Sequence, residues 1–261
     1  VLGGAPLNDV VQEPASPASQ AVLRPLPDTH DAREVVRWAV SSFERERRVV
    51  VTSLQAGGVV IADMALEFDP EVRIVTIDTG RLPEETLAYL DTLRTVWGRS
   101  IEVVLPEPLD VEPFVAANGV NPFYGSVDMR LRCCNLRKVR PLQRVLDGVD
   151  CWITGLRREH SPQRSTVAVV ERDREHDGIV KVNPLATWSA REVNEYMATR
   201  RLPLHPHYAA GYASIGCAPC TRAVQPGEDP RAGRWWWEHG VAKECGMHGR
   251  PATALVVERA G

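Results

Sequence analysis

Four cysteines in two separated pairs constrain this chain more than any other feature. Cys133 and Cys134 are adjacent in Arg-Cys-Cys-Asn, and Cys217 and Cys220 form Cys-Ala-Pro-Cys. Four thiolates gathered from two such pairs suit one soft metal centre, so the fold has to bring two distant segments together. A Cys-x-x-Cys motif alone suits zinc or a redox pair equally. Adjacent cysteines are awkward around a single zinc ion. A cubane cluster presents irons at separate corners, so neighbouring thiolates can each take a different one. Disulfides are the third reading. The opening residues show neither a basic n-region nor an apolar h-region, and six cysteines without a secretory signal point to a reducing compartment, the cytoplasm.

The other two cysteines differ from these and from each other. Cys151 lies in an apolar run and reads as an inert core thiol. Cys245, in Lys-Glu-Cys-Gly-Met-His, has Lys243 and His248 within three residues, groups that lower a thiol's pKa. With Gly246 and Gly249 beside it, Cys245 reads as a nucleophile on a flexible tail. The bland alternative is a free surface cysteine.

The pattern between the cysteines is that of an α/β fold. Short β-branched runs at residues 48–53, 72–77, 101–105 and 149–154 alternate with helical segments at 31–46, 59–68, 83–97 and 135–146, the last starting directly after the double cysteine. Residues 167–170 and 179–182 read as two further strands, and Ser189-Ala-Arg-Glu192 as a capping box opening a helix to about Arg200. This alternation predicts one domain with a mainly parallel sheet flanked by helices. Residues 1–28, rich in Pro, Ala and Ser, read as a disordered leader. A length of 261 residues with 44% hydrophobic and 25% charged residues fits a single globular core. The net charge of −3 offers no general attraction for nucleic acid, and no apolar run approaches a membrane span.

Anion binding therefore has to come from local features. The turn from Ser53 through Gln55, Gly57 and Gly58 lies at a strand's carboxyl end, where parallel-sheet proteins bind ligands and a helix start offers N–H groups. Small residues in a turn also have a purely conformational explanation. Ile77-Asp78-Thr79-Gly80 ends the next strand and reads equally as an ordinary turn. The loop after Gly155 carries Arg157, Arg158 and Arg164, and Arg231 with Arg234 form a second basic spot. Crowded guanidinium groups suit a ligand with more than one negative group.

Three segments together closely resemble the assimilatory adenylyl-sulfate reductases, the iron–sulfur branch of the phosphoadenylyl/adenylyl-sulfate reductase family. They are Cys-Cys-x-x-Arg-Lys-Val-x-Pro (residues 133–141), Cys217-x-x-Cys220 and Lys-Glu-Cys-Gly-Met-His (residues 243–248). The resemblance implies an adenine nucleotide α-hydrolase-like fold and a [4Fe–4S] cluster on Cys133, Cys134, Cys217 and Cys220. It implies a nucleotide- and cluster-binding domain over residues 29–230 and a C-terminal segment, 231–261, carrying the catalytic Cys245. The Cys245 thiolate would attack the sulfur of adenosine 5′-phosphosulfate, releasing AMP and leaving an S-sulfo-cysteine for thioredoxin or a similar dithiol to reduce. Ser53, Gln55, Gly57, Gly58, Ile77, Asp78, Thr79 and Gly80 correspond to nucleotide-contacting loops. Gly155, Arg157 and Arg164, with Arg231 and Arg234, would serve the phosphosulfate, beside His248. Lys138 would lie between cluster and substrate. The chain departs from the family in the first loop, where Ser-Leu-Gln-Ala-Gly-Gly stands in place of Ser-Phe-Ser-Gly-Ala-Glu-Asp.

The rival readings are a reductase of the 3′-phosphorylated substrate, a PP-loop-like tRNA sulfur-transfer enzyme that turns over ATP, and a zinc-stabilised nucleic-acid-binding module. Neither nucleic acid nor membrane is an expected partner, and a homo-oligomer is compatible with the sequence.

Overall fold

A computed structural model describes residues 31–238, 243–244 and 246–247. The leader at 1–28, Cys245, His248 and the residues after Gly249 lie outside the described residues. Six strands form one sheet: β1 (Arg48–Val51), β2 (Ile74–Ile77), β3 (Glu102–Val104), β4 (Cys151–Thr154), β5 (Val170–Asp173) and β6 (Ile179–Val182). Their order is β3-β2-β1-β4-β6-β5. All neighbours pair parallel except the edge hairpin of β5 with β6. This is the mainly parallel α/β sheet that the strand–helix alternation predicts.

The strands alternate their side chains between two covered faces, which is why they read as continuous apolar runs. On one face Val50, Ile74, Cys151, Ile153 and Val182 pack against α1 (Ala32–Ser42), α2 (Ala56–Phe68), α3 (Glu84–Trp97) and α7 (Ala190–Thr199). On the other, Val49, Val51, Val75, Ile77 and Trp152 pack against Leu142, Val145 and Leu146 of α6 (Arg140–Leu146). Cys151 is fully buried in the first of these layers, where burial pushes its thiol pKa far up.

Four local expectations need correction. The helix after β1 starts at Ala56, not at residue 59, so Gly57 and Gly58 belong to its first turn. The strand expected at 167–170 is β5, residues Val170–Asp173; its Glu171 is buried and pairs with Lys181 across the hairpin at 3.3 Å. A paired buried charge disguises a strand that an apolar pattern would have marked. The alternation read from sequence has no helix between residues 105 and 135, yet Pro108 opens one. It is the first residue of α4 (Pro108–Asn118), a helix that also accommodates Pro113. Finally, the helical segment at 135–146 does not start afresh after the double cysteine; the two cysteines end a preceding helix that runs on into it. Ser126 caps α5 (Val127–Cys134) through the Met129 N–H at 3.1 Å, and a π turn (Asn135–Val139) joins it to α6. The last helix, α8 (Pro206–Ala209), is a single turn. No helix among the described residues is long and apolar enough to cross a membrane.

The strand order reverses between β1 and β4, and a crevice opens there at the strands' carboxyl ends. The backbones meet closely at its floor. A Cβ on Gly155 would lie 2.5 Å from the Gly57 carbonyl carbon and 2.6 Å from the Gly58 nitrogen, so backbone would have to move to admit one. Gly155→Ala should therefore cost about 1–3 kcal/mol of stability, seen as a lower urea midpoint.

Candidate active site

The crevice has a volume of about 960 Å³, at the upper end for a small-molecule site. Ser53, Gln55, Gly57, Gly58, Ile77, Thr79, Lys138, Gly155, Arg157, Arg164, Arg231 and Arg234 line it, so most of the residues singled out from sequence converge. Asp78 and Gly80 do not line it. Asp78 accepts the Gly80 N–H at 2.8 Å, and Gly80, at φ 66°, completes a turn that lays Thr79 against the cysteines.

After β1 the chain turns through Leu54, whose φ of 59° is unusual for a buried leucine, with its N–H donating to Thr52 Oγ1 at 3.0 Å. Gln55 then braces the crevice wall: its Oε1 accepts the Ile215 N–H at 3.0 Å and its Nε2 donates to Ser53 Oγ at 3.2 Å. Ala56 N–H, at the start of α2, donates to the Tyr208 hydroxyl at 3.0 Å. Tyr208 carries no sequence signal, since it stands in a loop-rich stretch without a motif.

The arginines do different jobs. Arg157 is buried and bound to Glu159 at 2.6 Å and to the Trp188 carbonyl at 3.2 Å, which braces its loop. Arg234 is also buried, laid over Trp235 at 4.7 Å and donating to Ser214 Oγ and the Ile215 carbonyl. Its flat seat requires Gly216, where a Cβ would fall 2.3 Å from the guanidinium. Arg164 and Arg231 instead meet on the Glu244 carboxylate. Arg164 donates to both its oxygens, at 3.1 and 2.7 Å, and Arg231 approaches to 3.5 Å. Burial alone would raise the Glu244 pKa, but Arg164, Arg231 and the Ser161 hydroxyl more than offset it and hold it below the usual range. Burial, and then the charges of Arg157, Arg164 and Arg231, push His160 down to about 3, so a neutral imidazole stands in this basic wall. His160 was within reach of sequence reasoning, since it stands inside the arginine loop.

Beside the crevice lies a second, much smaller cavity of about 20 Å³, bordered by Cys133, Cys134, Cys217 and Cys220. The last turn of α5 delivers the first pair and a 3-10 turn (Ala218–Cys220) the second. Phe123 and Trp235 form its apolar wall, with Trp237 packed behind them, while Arg81, Arg130, Arg137 and Lys138 surround it with positive charge. All five described cysteines are free thiols. Burial raises Cys133, and it pushes Cys220 up to about 12. Burial acts on Cys217 in the same sense, but Lys138, the Thr79 hydroxyl at 3.2 Å and Arg234 outweigh it and lower its pKa. Among the described residues, no three His, Cys, Asp or Glu side chains are arranged to hold a single metal ion. Four thiols around one cavity, ringed by cations, fit a larger thiolate-bound centre of net negative charge. Lys138 and Trp235 border both cavities, so the lysine stands between the thiols and the crevice.

Comparison with known proteins agrees with this architecture. The chain is 44% identical over 237 residues to an adenosine 5′-phosphosulfate reductase of Allochromatium vinosum, covering 88% of this chain and 92% of that protein. It is 42% identical over 224 residues to one of Rhizobium meliloti, covering 86% and 84%. A crystal structure of phosphoadenylyl-sulfate reductase from Candida auris superimposes with a TM-score of 0.62 at 27% identity, over 74% of this chain and 90% of that one. Yeast FAD synthetase shares the fold, with a TM-score of 0.51 at 12% identity over 74% and 66%. Residues 47–223 match the family described as the phosphoadenosine phosphosulfate reductase domain, and the chain belongs to that family.

Proposed function

We propose that this protein reduces adenosine 5′-phosphosulfate to sulfite and AMP in sulfate assimilation, as an oxidoreductase acting on a sulfur group. What carries the reading is the convergence of Arg164 and Arg231 on one carboxylate inside the crevice. Two guanidinium groups that already gather a bidentate anion are suited to a phosphosulfate. Leu156, Val193 and Met197 offer the crevice an apolar side for an adenine ring. The α2 start and the Thr79 turn would serve the ribose. The relatives at 42% and 44% identity, both named adenosine 5′-phosphosulfate reductases, support this substrate class.

The reaction follows from the thiol. The Cys245 thiolate attacks the sulfonyl sulfur, an S–S bond forms, and the S–O bond to the phosphate breaks with its electron pair leaving on AMP. A thiolate of thioredoxin or a similar dithiol then attacks Cys245 sulfur and expels sulfite. The donor's second thiol resolves the mixed disulfide, so the donor is oxidised as the sulfur is reduced. Arg164, Arg231 and Arg234 would bind and orient the phosphosulfate, with His248 beside it. Cys133, Cys134, Cys217 and Cys220 would hold a [4Fe–4S] cluster, whose negative charge the surrounding Arg81, Arg137 and Lys138 offset. That cluster supplies a fixed anion next to Lys138, and no electron needs to pass through it. A cytoplasmic setting, where thiols stay reduced, suits a reaction that runs through thiols.

Four outcomes are expected. Sulfite release from adenosine 5′-phosphosulfate should depend on a dithiol donor and vanish in Cys245→Ser. Without a donor, mass spectrometry of the wild type should find one sulfo group on the Cys245 peptide; an adduct on Cys151 or on a cluster cysteine would refute the mechanism. Anaerobically prepared protein should carry about four irons per chain, lost in Cys133→Ser or Cys220→Ser but kept in Cys245→Ser; stoichiometric zinc with full activity would overturn the cluster. The specificity constant should favour adenosine 5′-phosphosulfate over its 3′-phosphorylated form. Among the described crevice residues, the sole guanidinium outside those assigned above is Arg201 on the rim.

A further inference from the structure

The carboxylate that marks the arginine site belongs to the chain itself. Glu244 immediately precedes Cys245, and both its oxygens are engaged: Oε1 accepts from Arg164 Nε at 3.1 Å and Ser161 Oγ at 3.1 Å, Oε2 from the terminal Arg164 nitrogen at 2.7 Å. The remaining Arg164 nitrogen faces His160 Nδ1 at 3.4 Å. The fork of Arg164 is thus fully used, and a phosphosulfate can take it only by removing Glu244. The backbone of the segment is anchored separately. Arg130 donates to the Glu244 carbonyl at 2.6 Å and Arg231 to the Lys243 carbonyl at 2.5 Å. Rotation of one side chain therefore frees the Arg164 fork, while Arg130 and Arg231 keep the main chain tied.

We propose that the Glu244 carboxylate is an internal anion that occupies the arginine site until the substrate's phosphosulfate group displaces it. This rests on the reductase reading above. Two anions on one guanidinium fork repel each other, so every anionic ligand of this site binds against Glu244. A ligand with about two negative charges, as AMP or the phosphosulfate carries at neutral pH, can displace the single carboxylate, and uncharged adenosine gains nothing from the exchange. Glu244 thereby weakens every anion at this site, substrate and AMP alike, and returns to Arg164 when the anion leaves, which promotes product release.

The test is equilibrium binding of AMP, inorganic sulfate and adenosine to the full chain, in the wild type, Glu244→Gln and Glu244→Ala. Removing a charge-assisted competitor should tighten AMP and sulfate about tenfold in both variants and leave adenosine unchanged. A merely structural role for Glu244 predicts the opposite sign, because arginines without their brace lose position. Unchanged or weaker AMP and sulfate binding in both variants would overturn the proposal. Sulfite release by the wild type is measured alongside. Sulfite formed without tighter binding in the variants sinks the internal anion alone. Tighter binding in the variants, with no sulfite from the wild type, sinks the reductase reading alone.

Discussion

The Arg130 guanidinium holds the functional half of the molecule together. It is almost fully buried, donates twice to Glu238 at 2.7 and 3.0 Å, donates once to the Glu244 carbonyl, and stacks on Trp235 at 4.6 Å. Arg130 belongs to α5, the helix that ends in Cys133 and Cys134. One side chain therefore joins the cysteine helix, the tryptophan shared by both cavities, and the segment leading into Cys245. Such a charge is tolerable because each of its three nitrogens has a partner; removing one partner of a buried pair typically costs about 3–5 kcal/mol.

The rest of the site is arranged around the reversal of strand order between β1 and β4. Parallel strands present their carboxyl ends on one side, and a reversal leaves a crevice that no crossover fills. Gly57 and Gly155 let the first turn of α2 and the end of β4 approach more closely than any side chain would permit. The Thr79 turn then serves both cavities at once. Its hydroxyl reaches Cys217, while its carbonyl accepts from Arg137 at 2.8 Å. Substrate crevice and thiol centre thus share a wall, and Lys138 stands in it.

The π turn fits this shared wall. Lys138 lies within it, directly after the two cysteines. An extra residue in a helical turn shifts the direction of the side chains that follow, and such turns recur at functional sites. Here the irregularity falls between Cys134, which faces the thiol cavity, and Lys138, which borders both cavities.

The sequence by itself determined the parallel α/β class, the four-thiol centre and most of the crevice residues. Alternating apolar strands and helices, paired cysteines and clustered arginines are local patterns, and each has few physical uses. The sequence also marked Arg157 and Arg164 alike, since both are guanidinium groups in one loop. Only the tertiary structure separated them: Arg157 braces its own loop through Glu159 and the Trp188 carbonyl, while Arg164 reaches the distant Glu244 carboxylate. The true bounds of β5, the helices α4 and α5, and the places of Tyr208 and Glu244 in the crevice wall were equally hidden. Their partners lie far along the chain, as Glu244 does from Arg164 and Tyr208 from Ala56, and no local periodicity records a long-range contact.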